Sequence, residues 1–271
     1  MPGTPFLPPF PASWGATRRT LHAYARAVSA IPRAHAVAHP HWWHLGLAVR
    51  PEGLTTVPVP LPGGGALAGR LDPRRRALVL TTSTGESREF PLDAGWTGSE
   101  MGDRVTAAAA DFGLAGGYDR ERYADDEAGP YDVEAAAAFF TAVVKVAGAF
   151  EEFRARLDPL RVSPVQVWPH GFDMAFDWFG TRSVPHEDGH LPAQLNLGFY
   201  PGTEAYFYSN PWPLERSLLA AALPTGARWH TEGWEGAYLG YEAVRSVPDG
   251  RARLLEFAAA VHDLAAPTLE G

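Results

Sequence analysis

The feature that most constrains the fold is a series of short alternating segments joined by very short turns. Candidate strands lie at Leu54–Val59, Ala66–Leu71, Ala77–Thr82 and Glu86–Phe90, and their links at 51–53, 62–65, 72–74 and 83–85 are built from turn-forming residues. Parallel neighbours need a crossover of a dozen or more residues, so links of three or four residues favour an antiparallel meander.

A second block of strands and several helices complete the pattern. Strands are predicted at Pro164–Trp168, Phe172–Phe179, Gln194–Tyr200, Glu204–Ser209, Ala227–Thr231 and Gly236–Leu239, and helices at Thr17–Ile31, Met101–Phe112, Asp132–Leu157, Leu214–Leu223 and from about Arg251. We expect Pro32 to end the first helix and Asp132 to cap the long one. The order predicts an α+β fold of antiparallel sheets with packed helices. We expect one structural unit over residues 1–271, which could contain two similar halves, 14–115 and 130–268.

Composition excludes several function classes. The chain has no cysteine, so a disulfide framework, a thiolate nucleophile and cysteine-ligated metals are excluded. Its 23 Lys and Arg against 31 Asp and Glu give a net charge of −8, which argues against nucleic-acid or anionic-membrane partners. The first 13 residues hold five prolines and no basic residue, and no apolar run approaches the about 20 residues of a membrane span. We expect a cytoplasmic location.

His186–His190 spells H-E-x-x-H, the spacing that zinc proteases place on a helix. Here Pro185, Gly189 and Pro192 oppose a helix, so we expect a polar loop. A second histidine group, His39–His44, runs into a segment from Trp42 to Val49 whose alternation predicts a strand. In an extended strand His41 and His44 would point to opposite faces. The sequence leaves open whether a metal binds at His186 and His190 or at His39 and His41.

Three groups of residues suggest a ligand pocket. Trp42 and His44 share a predicted strand face with the small residues Gly46 and Ala48, which leave volume for a ligand or a neighbouring element. Asp173 and Asp177 alternate with apolar residues and should face away from the core. Four residues of strand span about 13 Å, too far for the about 5–9.5 Å of a glycosidase pair. Asp173 could instead orient the nearby His170 as a proton shuttle.

The third group lies on a predicted hairpin and on the first helix. Tyr200 and Glu204 flank a Pro-Gly turn, and burial of Glu204 among phenols would suit an acid–base role. Arg18, His22 and Arg26 recur every four residues along one edge of the first helix. Arg18 and His22 could therefore contact an anionic group of a ligand.

Several strings resemble one bacterial family. T-R-R-T-L-H at 17–22 and H-W-W-H at 41–44 are distinctive, and weaker matches lie at 53–56, 163–165, 172–175, 198–202 and 241–245. In this order they resemble the domain-of-unknown-function family 5996 over nearly the whole chain. The resemblance implies a single conserved unit and no assigned reaction. The chain departs from the family pattern at 191–193, where Ser-His-Glu is typical, and at Gln166, where a histidine is typical. If either histidine serves catalysis in relatives, this chain lacks the residue for that role unless His190 substitutes.

Together these patterns predict a small-molecule enzyme that uses acid–base chemistry in an aromatic- and histidine-lined pocket. The predicted catalytic residues are His44, His170, Asp173 and Glu204, and the predicted substrate contacts are Arg18, His22, Trp42 and Tyr200. We expect no cofactor. A non-catalytic small-ligand-binding protein and a metal-dependent hydrolase stay open as alternatives.

Overall fold

The computed structural model describes residues 5–187 and 189–271, and it confirms an α+β fold of antiparallel strands with packed helices. The chain divides into two compact units. We call residues 10–144 and 166–172 the N-terminal unit, and the described residues among 1–9, 145–165 and 173–271 the C-terminal unit. These ranges differ from the two halves considered above, and the prediction of one structural unit stays a prediction.

The N-terminal unit combines a meander with helices. Its elements are α1 Trp14–His35, β1 Leu47–Arg50, β2 Gly53–Thr55, β3 Val59–Pro60, β4 Ala66–Asp72, β5 Ala77–Thr82, β6 Ser87–Pro91, α2 Gly98–Asp111 and β7 Gln166–Trp168. The strands follow the order β7-β1-β2-β4-β5-β6, and β3 also pairs with β4. All these pairs are antiparallel, as the short turns predict.

The C-terminal unit is built around a long hairpin. Its elements are β8 Asp173–His186, β9 Gly189–Tyr200, β10 Tyr206–Ser209, β11 Pro211–Trp212, β12 Ala227–His230, β13 Gly236–Gly240, α4 Tyr241–Arg245 and α5 Gly250–Ala265. The strands follow the order β12-β13-β10-β9-β8, with β11 on β9. One face of β8 and β9 is apolar and buried: it carries Met174, Phe176, Trp178, Leu195, Leu197 and Phe199. Phe176 packs there against Phe150 and Phe153.

The long helix α3, Val133–Arg154, contributes its residues up to Val144 to the N-terminal unit and the rest to the C-terminal unit. Asp132 caps it as predicted, because its carboxylate accepts the backbone N–H groups of Glu134 and Ala135 at 2.8 and 3.1 Å. By length and composition this helix could cross a membrane, although no such run was expected. More than half of its apolar window is buried within the protein, and a core helix passes the same test.

The expected end of α1 at Pro32 is wrong. The helix continues to His35, and the backbone N–H of Ala36 still donates to the Pro32 carbonyl at 3.0 Å. A proline inside a helix removes its own N–H donor and crowds the carbonyl four residues back, but Val28 and Ile31 are buried on the core side of the same turn. Burial of that face therefore outweighs the loss of one hydrogen bond near the helix end.

The helix α2 begins with a capping box that fixes its start. The Thr97 hydroxyl accepts the Glu100 N–H at 3.0 Å, and the Glu100 carboxylate accepts the Thr97 N–H at 2.9 Å. We expect Thr97→Ala to lower the free energy of unfolding by about 1 kcal/mol, since the Glu100 N–H loses the hydroxyl that accepts it. Thr97→Ser, which keeps the hydroxyl, should stay close to the wild type in chemical denaturation. An alanine variant as stable as the wild type would contradict this account of the helix start.

Candidate functional site

The segment His39–His44 forms a compact aromatic turn, so the strand predicted from Trp42 is wrong up to Gly46. Trp43–Leu45 is a 3-10 turn, and β1 starts only at Leu47. Trp42 adopts a left-handed backbone with φ of 59°. The His39 ring stacks on Trp43 at 4.2 Å between ring centroids, so side-chain stacking within the turn competes successfully with an extended backbone.

His44 is buried inside this turn, whereas Trp42 is 58% exposed. The Nδ1 atom of His44 accepts the His39 backbone N–H at 3.1 Å. Burial, with the charges of Arg33 and His39, lowers the pKa of His44. The imidazole is therefore neutral near pH 7 and serves as an acceptor within the turn.

The space beside Gly46 is occupied by a side chain. A Cβ atom on Gly46 would lie 2.0 Å from the Gln166 side chain, which packs directly over the glycine. The sequence left open whether a ligand or a neighbouring element fills the volume beside the small residues. At Gly46 it is filled by a neighbouring element, the strand β7. The Nε2 atom of Gln166 is buried without a hydrogen-bond partner among the described residues.

Arg18 and His22 hold the loop that carries His170. Arg18 donates from Nη2 to the Gly171 carbonyl at 3.1 Å, and His22 Nε2 lies 3.1 Å from the His170 carbonyl. The His22 ring also stacks on Phe172, which is fully buried with a left-handed φ of 56°. The side chains of Arg18 and His22 thus form hydrogen bonds with backbone carbonyls of this loop. The sequence had predicted that the same two side chains contact a ligand.

His22 lies between two guanidinium groups on the same helix. Burial, then the charges of Arg26 and Arg18, lowers its pKa from 6.5 to about 4. A neutral ring must donate through Nε2 to the His170 carbonyl, which leaves Nδ1 unprotonated. His22 also lines a cavity of about 290 Å³, together with Tyr24, Trp96 and the salt-bridged pair Arg19 and Glu127.

The polar side of the C-terminal sheet gathers the second set of candidate residues. We call it the carboxylate face and define it by Asp173, Ala175, Asp177, Asn196, Gly198, Tyr200, Tyr206, Tyr208 and Tyr238. The register places Asp177 opposite Asn196 and Tyr206 opposite Tyr200. The predicted alternation along β8 therefore holds, and both carboxylates lie opposite the buried apolar face.

Asp173 is bonded to Tyr208 across the intervening strand. The Tyr208 hydroxyl donates to the Asp173 carboxylate. Tyr208 pairs with Gly198, where a Cβ atom would lie 2.1 Å from the phenol ring, so the absence of a side chain lets the ring lie flat on β9. Burial and the Asp173 charge raise the Tyr208 pKa well above its ordinary value, so the phenol stays protonated.

Asp177 is the second carboxylate of this face. Burial raises its pKa to about 6, the Ser163 hydrogen bond opposes the shift, and the Asp173 charge adds to it. The Ser163 hydroxyl lies 3.4 Å from the Asp177 carboxylate and accepts the Asp177 backbone N–H at 2.7 Å. The Asp177 carboxyl is therefore mostly ionised at pH 7, and about half of it is protonated at pH 6.

Tyr200 and Glu204 do not form the expected pair of strand residues. Tyr200 ends β9 with its ring 5.2 Å from that of Tyr206. Glu204 lies in the turn before β10, not in the strand, and it is exposed. The burial that its predicted acid–base role requires is therefore missing.

The H-E-x-x-H segment lies at the tip of the β8–β9 hairpin. His186 pairs with Gly189 and Pro185 with His190, so there is no helix, as expected, but the strands run further than the predicted loop allows. Asp188 lies outside the described residues. Among the residues that the structure does describe, no group of three or more His, Asp or Glu side chains is placed to hold a metal ion.

Among the predicted site residues, the N-terminal unit brings Arg18 and His22 onto the His170 loop, and Asp173 and Tyr200 lie on the carboxylate face. Sequence reasoning missed the Tyr208 hydroxyl and Ser163 as partners of the two carboxylates. The shared strand parity of Tyr208 and Tyr206 was a signal for the first. The convergence of His44, His170 and Glu204 in one pocket stays a prediction.

These features define an α+β protein with a polar, phenol-rich sheet face and a helix-anchored histidine loop. The chain belongs to the family of unknown function DUF5996, whose model matches residues 7–270 and confirms the predicted resemblance. Comparisons with curated proteins and with solved structures give no match.

The electrostatics of His22 give a direct test of the loop anchor. We expect its imidazole to titrate near pH 4 in the Nε2–H tautomer, because burial and two neighbouring arginines disfavour the charged ring. The unfolded chain takes up this proton near pH 6.5, so the free energy of unfolding should fall as pH drops from 6.5 to 4. Nitrogen-15 NMR of the histidine rings measures the midpoint. Titration near 6.5 would show that His22 is not held as described.

Proposed function

We propose that the protein is an enzyme that acts on a small molecule by acid–base chemistry on the carboxylate face. The observation that carries the proposal is the presence of two carboxylates on one half-buried sheet face in different environments. Asp173 is held by a phenol, and Asp177 has a pKa of about 6. Titratable groups in such contrasting environments are typical of acid and base pairs in enzymes.

Asp177 is the proposed general base. A base is most effective when its pKa lies near the working pH, and burial brings this carboxyl there. The Ser163 N–H donates to the Asp177 carbonyl and the Asp177 N–H donates to the Ser163 hydroxyl, and this pair of hydrogen bonds fixes the strand on which Asp177 lies. The carboxylate can therefore accept a proton from a bound molecule without large movement of its backbone.

Asp173 and Tyr208 are the proposed positioning pair. The phenol donates a hydrogen bond to Asp173, and the remaining lone pairs of the carboxylate can accept a hydrogen bond from a ligand hydroxyl or amine. The raised pKa of Tyr208 keeps this arrangement protonated at neutral pH. The pair would orient the ligand while Asp177 moves the proton.

Aromatic rings beside the carboxylates suit a flat or apolar ligand. The Tyr206 ring stacks on Trp234 with 5.9 Å between the ring centroids and an interplanar angle of 13°. The Trp234 ring centroid lies 4.4 Å from that of His230. Such rings supply apolar contact area with little loss of side-chain freedom. The proposed substrate class is a small metabolite that is partly aromatic or hydrophobic. The predicted roles of His44, His170, Trp42 and Glu204 stay predictions.

The test is turnover of a bacterial metabolite extract followed by mass spectrometry. We expect the wild type to convert at least one compound and Asp177→Asn to lose at least about a hundredfold in rate, as removal of a general base does. The wild-type rate should rise with pH around a midpoint of about 6, because the base must be ionised. Glu256→Gln, at an exposed carboxylate on α5, is the matched control and should keep the rate.

A second comparison tests the positioning pair without removing a polar group. Gly198→Ala places a methyl group against the Tyr208 ring, whereas Gly148→Ala on α3 meets no atom within 4 Å. We expect only the first variant to raise KM. A compound retained by the wild type without conversion would favour a binding protein instead, and an unchanged rate in Asp177→Asn would refute the proposed base.

A further inference from the structure

A second cavity, of about 280 Å³, lies in the N-terminal unit and is lined by basic side chains from three segments. We call it the arginine cavity. Its charged and polar lining residues are Arg26, Ser29 and Arg33 of α1, Glu121 and Arg122 of the turn after α2, and His170 of the loop before β8. The chain as a whole carries a charge of −8, so this concentration of arginines runs against its composition.

The helix presents its three residues on one side. Arg26, Ser29 and Arg33 are separated by three and four positions, the spacing that brings side chains together on a helix surface. Arg18 and His22, further along the same edge, are occupied by carbonyls of the His170 loop. The residues of this helix that remain available to bind an anion therefore lie one to two turns further along, at Arg26, Ser29 and Arg33.

Among the described residues, two of the three cavity arginines have ion-pair partners, and Glu121 adds a third carboxylate, which lines the cavity. Arg26 pairs with Asp125 at 2.9 Å, and the Arg122 side chain lies 3.3 Å from Asp119. Arg33 has no carboxylate within ion-pair distance among the residues described by the structure. Burial and the charge of Arg122 lower the Arg33 pKa, which reflects the cost of holding these cations together.

Two buried donors in the cavity wall lack acceptors. Ser29 is 3% exposed, and its hydroxyl has no hydrogen-bond partner within the described part of the chain. The Nε atom of Arg26 is likewise buried without a partner. Buried polar atoms are nearly always hydrogen-bonded, so unpaired donors beside an arginine group indicate an acceptor that binds there.

We propose that the arginine cavity binds the phosphate group of a small phosphorylated metabolite. Guanidinium groups from α1 and from the turn after α2, together with Ser29, line the cavity. The three terminal oxygens of a phosphate monoester can accept from all of them, whereas a planar carboxylate offers two oxygens. The volume is close to the about 300 Å³ of the smallest ligand pockets, which leaves room for a short carbon skeleton.

The experiment measures binding of glycerol 3-phosphate by titration calorimetry, with glycerate as the carboxylate analogue. We expect saturable one-to-one binding of the phosphate compound that weakens as sodium chloride is raised. Arg33→Gln should weaken it by at least about tenfold, and Ser29→Ala by several-fold, since each removes a donor to a charged group. Arg19→Gln, at an exposed arginine of the same helix that pairs with Glu127, is the matched control and should bind like the wild type.

Three results would overturn the proposal: no saturable binding of glycerol 3-phosphate, binding of glycerate as tight as that of the phosphate compound, or wild-type affinity in both Arg33→Gln and Ser29→Ala. Far-ultraviolet circular dichroism of each variant checks that it is folded. Ser29→Ala removes a single oxygen from the middle of a helix, so it keeps the test decisive if the arginine variant is unstable.

Discussion

Burial of Phe176 and its neighbours on one side of β8 is the constraint on which the candidate site depends. Phe176 contacts Phe150 and Phe153, and it is fully buried. Because strand side chains alternate, anchoring this residue in the core sends Asp173 and Asp177 to the opposite face. A register shift of one residue would bury both charges, so the aromatic core determines which side of the sheet carries the two carboxylates.

The same sheet gives its two carboxylates different environments. Asp173 gains a phenol donor because Gly198 leaves room for the Tyr208 ring, and Asp177 is buried beside Ser163. In the N-terminal unit, the neutral His22 lies beside the charges of Arg18 and Arg26. Arginine side chains also line the arginine cavity of this unit. Each unit thus carries its own concentration of polar groups, one suited to proton transfer and the other to an anion.

Sequence reasoning succeeded where one residue determines one outcome. It placed β5 at its observed bounds, found the Asp132 cap and assigned the carboxylates of β8 to one face. It failed where the contacts of side chains with one another and the register of the strands decide. The turn around Trp43 forms because rings stack within it, and Glu204 lies in a turn because β10 starts at Tyr206. The hydrogen bond from Tyr208 on β10 to Asp173 on β8 crosses the intervening strand β9, and it follows only from a register that a single sequence does not contain.

The most direct test of the account is the titration of the Asp177 carboxyl group by carbon-13 NMR, assigned with Asp177→Asn. Burial on the carboxylate face predicts a titration midpoint of about 6. As the pH is lowered, the folded protein should therefore bind this proton at a higher pH than the unfolded chain does. A midpoint near the ordinary aspartate value of about 3.9 would show that the group is solvated. That result would contradict the role of Asp177 as a base poised for neutral pH.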